Sequence, residues 1–209
     1  MNIIDSLNWR YATKKFDADK YVSNDKLAIL KEAFTLTPTS YGLQPVKLVV
    51  VSNKELQKEL VAHSFNQEQV AQASHVLVIC IENTIDEAYI RAHFENEKSV
   101  RGTSDEVIDS FRSFLINDFS GKNESDIKQW ATKQAYITLG NLLTVCALEE
   151  VDSCPMEGFL PEKYDELLKL KNKGLSSVLA LPIGYRADED MFSKLKKVRK
   201  SVETNVITI

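Results

Sequence analysis

Apolar positions recur along the chain with two different periods. Leu27, Leu30 and Phe34 stand at i, i+3 and i+7 behind Ser23 and Asn24, either of which can cap a helix, and Pro38 lies just beyond. The β-branched run Val46–Val51 predicts a strand, and Asn53 can then cap a helix carrying Leu56 and Leu60. His75 to Ile81 (HVLVICI) is continuously apolar, as a strand covered on both faces would be, so it belongs at the middle of a sheet. Helical spacing returns between Ile85 and Phe119, in Tyr89, Ile90 and Phe94 and again in Ile108, Phe111 and Leu115. Two helices are predicted there, the second opened by a capping box over Thr103 to Glu106. From Ser125 to Leu148 a long helix begins amphipathic and turns apolar almost all round, which predicts burial on several sides. A short strand at Val151 to Ser153, a helix opened by Pro161 and a strand at Ser176 to Ile183 follow. The extended apolar tail Asn205 to Ile209 (NVITI) needs a cover, which a second copy could supply.

This order mixes helices and strands with no repeat, linker or low-complexity tract, so residues 1–209 read as one α+β domain. With 44% hydrophobic and 27% charged residues, the composition excludes collagenous and disordered chains. Cys80, Cys146 and Cys154 form no C-x-x-C pair and read as buried thiols rather than a disulfide framework or zinc site. A net charge of −4 argues against a nucleic-acid surface. No apolar run approaches the roughly 18 residues of a membrane span, and Met1 to Asp5 lacks signal-peptide features, so a cytoplasmic protein without membrane partners is expected.

Two basic groups change this bland picture. Arg10, Lys14 and Phe16 would share one face if their segment were extended, and Lys194, Lys196, Lys197, Arg199 and Lys200 form a second cluster near the end. Either alone reads as a solvated face; converging, they would hold a phosphate without a glycine-rich loop, and neither G-x-G-x-x-G nor a Walker motif is present. Cys154-Pro-Met-Glu-Gly-Phe159 follows a strand, and its proline and glycine allow a turn that presents amide N–H groups to a planar ligand, or an ordinary connection. Thr37 to Pro45 has a binding-loop composition. Gln134 and Asn141 share a face of the apolar helix and need hydrogen-bond partners if buried. His63, His75 and His93 lack metal-ligand spacing, so no metal is expected.

The segments R-x-A-T-K-K-F, P-T-S-x-x-x-Q-P, A-S-H-V-L-V-I-C, K-Q-A-Y-I-x-L-G-N-L-L, P-M-E-G-F and the terminal K-V-R, in this order, resemble the nitroreductase family. The match is to its oxygen-insensitive NAD(P)H nitroreductase and dihydropteridine reductase branch. The resemblance implies a mixed, mainly antiparallel sheet flanked by helices, in an intertwined homodimer with C-terminal strand exchange and FMN at the interface. It places Arg10, Lys197 and Arg199 at the FMN phosphate, Lys14 at the ribityl or ring edge, with Tyr11 and Ala12 beside them. Pro38, Thr39 and Ser40 would come from the other subunit; Gly42, Asn66, Gln69 and Gln134 would lie near the cofactor. Pro155, Met156, Glu157 and Gly158 would form the turn facing flavin N5 and O4. Tyr41, Phe114 and Ile116 would line a substrate pocket. The chain departs from the family pattern at Ala12, Gly42 and Val46, where Ser, Asn and Trp are usual, and at Gln69, where close relatives carry Lys.

The resemblance implies an FMN-dependent NAD(P)H oxidoreductase, exchanging hydride by ping-pong through flavin N5 with electron-poor acceptors such as nitroaromatics and quinones. No side chain need act as a catalytic acid or base. A reductase of one metabolite (pterin, enone or free flavin) and a flavin-binding regulatory protein with little turnover are the competing readings, the latter prompted by Gln69 and Gly42.

Overall fold

The run at 75–81 lies inside the sheet, as its composition requires. In this computed structural model, which describes residues 2–209, strands β1 (Val46–Val51), β2 (His75–Glu82), β3 (Asp152–Ser153) and β4 (Leu175–Gly184) form one sheet in the order β1-β2-β4-β3. All neighbouring pairs are antiparallel, with a bulge between Ile79 and Cys80. A parallel bridge from Ala12 to Ser153 extends the β3 edge. Period-2 alternation then sorts the side chains of β2: Leu77, Ile79 and Ile81 join one core, Val76, Val78 and Cys80 the other.

Helices α2 (Asn24–Thr35), α5 (Glu87–Arg101), α6 (Asp105–Ser120) and α7 (Glu124–Leu148) supply the first core. Helices α3 (Lys54–Ala62), α4 (Gln69–Gln72) and α8 (Pro161–Leu167) lie along the segments that close the second. Ser23, Asn53 and Asn123 each accept an amide hydrogen bond at their helix starts. A capping box does not form at α6: its N-cap is Ser104, which makes no side-chain cap bond, and Thr103 lies outside the helix. Sequence spacing also overlooked α1 (Ile3–Trp9), a single amphipathic stretch capped by Asn2 and packed against α7.

Helix α7 packs against α1, α2 and the sheet, buried on several sides as expected, and leaves one exposed stripe, Lys133, Tyr136, Ile137 and Gly140, at i, i+3, i+4 and i+7. One further expectation is corrected. The tail is not extended from Asn205, which instead closes a last short helix, α9 (Val202–Asn205), and only residues 206–209 run on without regular structure, exposed. No helix among the described residues is long and apolar enough to cross a membrane.

Candidate cofactor site

Cations from the two ends of the chain meet in one cleft of about 360 Å³, lined by Arg10, Lys14, Lys196, Lys197 and Arg199 together with Trp9 and Tyr11. Asp190 brings them together. Its carboxylate accepts from the Lys14 amide at 2.8 Å, the Lys15 amide at 3.1 Å and the Tyr11 hydroxyl at 2.9 Å, and caps the following turn through the Phe192 amide at 3.0 Å. Burial pushes this carboxyl up, but those donors outweigh it and hold it below its ordinary range. Arg186 braces the other side: its guanidinium lies 4.3 Å from the Trp9 ring centre and 4.6 Å from that of Tyr11, while Nε donates to buried Asp152 at 2.9 Å. Because the chain bends at Lys14, Phe16 turns into the second core and does not share the face of Arg10 and Lys14.

The cationic end lacks a counter-charge. Lys197 Nζ donates to the carbonyls of Leu7 (2.6 Å) and Arg10, closing the end of α1. Burial, and then the neighbouring Arg199, depress the Arg10 pKa; burial, Arg10 and Arg199 depress that of Lys197. Arg10 Nε is buried and has no hydrogen-bond partner among the described residues. A buried donor left unsatisfied costs about 1–3 kcal/mol, more when it is charged, and an anion would remove that cost together with the repulsion. The donor set therefore fits a phosphate monoester.

From Lys14 the site continues to the turn. Burial raises the Cys154 thiol, and the positive charge of Lys14, the next influence, lowers it. Gln69, buried, donates Nε2 to Gln67 Oε1 at 3.0 Å and lies 3.9 Å from Cys154 Sγ. Of the turn itself, Pro155 has no N–H, and Met156 is buried with its amide bonded to Ala180 O at 2.8 Å, so Met156 presents no amide to a ligand. The amides of Glu157 and Gly158 donate to no described residue. Asn66 sits alongside in the left-handed region at φ 57°.

The loop residues Pro38, Thr39, Ser40 and Gly42 share no lining with the cationic cleft. Ser40 ties the loop to α7 instead, its amide donating to Gln134 Oε1 at 2.9 Å, while Gly42 faces His93 of α5; Gln134 Nε2 donates to Trp130 O at 3.1 Å, so the buried Gln134 amide is satisfied within its own chain. Asn141 is likewise satisfied, by Ala33 O and Thr37 Oγ1. Tyr41, exposed at φ 59°, stands edge-on to Phe111 at 6.3 Å, and Phe111 stacks on exposed Phe114 at 6.2 Å. Ile116 is not on this shelf; it is half-buried against the first core, beside Phe119 and Ile127. Sequence reasoning missed Asp190, Arg186, Gln67 and Phe111, whose partners lie far away along the chain or in one helix face. Among the described residues no group of three or more His, Cys, Asp or Glu is placed to hold a metal.

The sequence profile of the Nitroreductase family matches residues 7–185. The chain belongs to the nitroreductase family. A Staphylococcus haemolyticus protein named "putative NAD(P)H nitroreductase" is 35% identical over 209 residues, covering 96% of this nitroreductase-family chain and 94% of its own length. Two solved structures share the fold. A nitroreductase from Bacillus subtilis, itself described as putative, superposes with a TM-score of 0.87 at 20% identity over 99% of this chain and 98% of that one. One described as a putative nitroreductase in complex with FMN, from Exiguobacterium sibiricum, gives 0.83 at 19% over 100% and 98%.

Proposed function

We propose that this nitroreductase-family chain is an FMN-dependent NAD(P)H oxidoreductase that works as a homodimer by ping-pong exchange with electron-poor acceptors. The observation that carries the reading is the partnerless, buried Arg10 Nε beside Lys197 and Arg199. When bound there, FMN supplies the hydride chemistry, between NAD(P)H and an acceptor such as a nitroaromatic or a quinone. The protein's part is binding and orientation. Arg10, Lys197 and Arg199 hold the phosphate, and Asp190 fixes the strand that carries Arg10 and Lys14. The Glu157 and Gly158 amides are available to the ring edge. Gln69, neutral and buried, offers no cation to an anionic ring.

The exposed α7 stripe and apolar α1 residues Ile3, Ile4 and Leu7 supply the face for a second copy, whose Tyr41–Phe111–Phe114 shelf would cover the ring and stack a flat acceptor. One shared stacking place for donor and acceptor accounts for a sequence with no dinucleotide fingerprint. Equilibrium dialysis tests the cofactor assignment. FMN is expected to bind at least tenfold more tightly than riboflavin, with inorganic phosphate competing; equal affinities would contradict it.

A further inference from the structure

The turn at 154–158 is clamped by side-chain amides that the binding reading does not use. Gln67 Nε2 donates to Gly158 O at 2.8 Å, and Gln67 Oε1 accepts from Gln69 Nε2, which also reaches toward Cys154 Sγ. Two amides thus span the turn from its first residue to its last. A Cβ added to Gly158 would stand 3.0 Å from that same Gln67 nitrogen, so the contact has no slack. On the other side the Tyr136 hydroxyl donates to Glu157 Oε1 at 2.6 Å. Between these ties lie the Glu157 and Gly158 N–H groups, which donate to no described residue, beside a glycine whose torsions are intrinsically permissive.

We propose that Gln67 is a positioning residue: by holding the Gly158 carbonyl it fixes the direction in which the Glu157 and Gly158 N–H groups point at a bound flavin ring. The assignment rests on the FMN reading of the cleft and adds to it a residue that acts through the turn. Its chemistry is specific. Only a side chain that donates to Gly158 O while accepting from Gln69 completes the span, and glutamine has both ends.

The test measures FMN dissociation constants for oxidised and for chemically reduced protein, at pH 5 and pH 8, with wild type as the reference at each pH. Phosphate contacts are common to both redox states, so their ratio reports the ring-edge contacts. Gln67→Met keeps the length and removes both bonds, and the ratio is expected to change at least threefold. Gln67→Glu keeps the acceptor toward Gln69; ionised, it cannot donate to Gly158 O, and protonated, it can. It should match Gln67→Met at pH 8, where the glutamate is ionised, and move part of the way back toward wild type at pH 5, where about a fifth of an ordinary glutamate is protonated and the Gly158 carbonyl facing it favours that form; it carries the test alone should Gln67→Met not fold. A ratio within threefold of wild type at both pH values, even with weaker FMN binding in both redox states, would overturn the positioning role. Failure of the wild-type protein to bind FMN would instead overturn the cofactor reading, and the inference with it.

Discussion

Replacing Arg10 by methionine isolates the phosphate claim. Methionine keeps an unbranched stem beside Trp9 and removes the guanidinium, including the buried Nε that finds no partner among the described residues. Removing one side of a desolvated, hydrogen-bonded charge pair costs about 2–5 kcal/mol. Arg10 is half-buried, which puts the cost at the lower end, about 2–3 kcal/mol, or roughly 30- to 150-fold in FMN affinity at 1.4 kcal/mol per tenfold. Arg10→Lys keeps the charge but loses the planar fork, and should fall between, at about tenfold. Riboflavin has no phosphate, so its affinity should move less than threefold in either variant. The flavin-free Arg10→Met protein should melt no lower than wild type, because one of three mutually repelling cations is gone. Fluorescence titration with FMN and riboflavin reads the affinities and scanning calorimetry the stability. Equal weakening of both flavins would refute the reasoning, because the loss would then be one of folding rather than of phosphate binding.

Further predictions follow from the same geometry. Asp190→Asn should weaken FMN binding about tenfold and lower stability by about 1.5–3 kcal/mol through lost charge-assisted bonds to Tyr11, Lys14 and Lys15; an unchanged denaturation midpoint would contradict its role as the hub. With its carboxyl held low in the fold, the Asp190 contribution is present above the ordinary carboxylate range and lost as pH falls through the depressed value, so wild type and Asp190→Asn should converge in stability toward pH 2. Burial pushes Cys80 and Cys146 each up to about 12, so an unfolded chain ionises near pH 9 while the fold does not. Stability is therefore intact below pH 9 and declines above it, and native thiols should resist iodoacetamide at pH 8; rapid alkylation would refute the burial. Ile137→Glu, in the exposed α7 stripe, should give a monomer by light scattering with little FMN retained, and a persisting dimer would remove α7 from the interface. Leu142→Ala, fully buried between α7 and the sheet, should cost about 2–5 kcal/mol in chemical denaturation.

The fold was legible where periodicity is local and strong. β1, β2 and α7 fall within a residue of their expected bounds, and α2 and α3 start at their expected caps, because capping residues and apolar runs mark them directly. α1 was not, since seven residues, about two turns, give too few apolar positions to establish a period. Convergence of Arg10 with Lys197 and Arg199 was readable as two basic clusters in an acidic chain, but what assembles them was not: Asp190 looks like any acidic loop residue until Lys14 and Tyr11, more than 170 positions away, are found on it. The turn shows the same division. Its proline and glycine announce a special backbone, whereas the bond that commits the Met156 amide to Ala180, and the Gln67 clamp on Gly158, depend on pairings between segments far apart along the chain. Phe114 and Ile116, expected to share a pocket wall, lie two apart on α6 and face different sides, Phe114 toward Phe111 and Ile116 toward the first core.

An anaerobic absorbance titration of the flavin-loaded protein with NADH and then NADPH, followed by a quinone or nitroaromatic, tests the central claim most directly. The account predicts that a flavin band bleaches with at least one donor and returns when the acceptor is added. A bound flavin band that neither nucleotide bleaches would contradict the oxidoreductase reading and leave a flavin-binding protein.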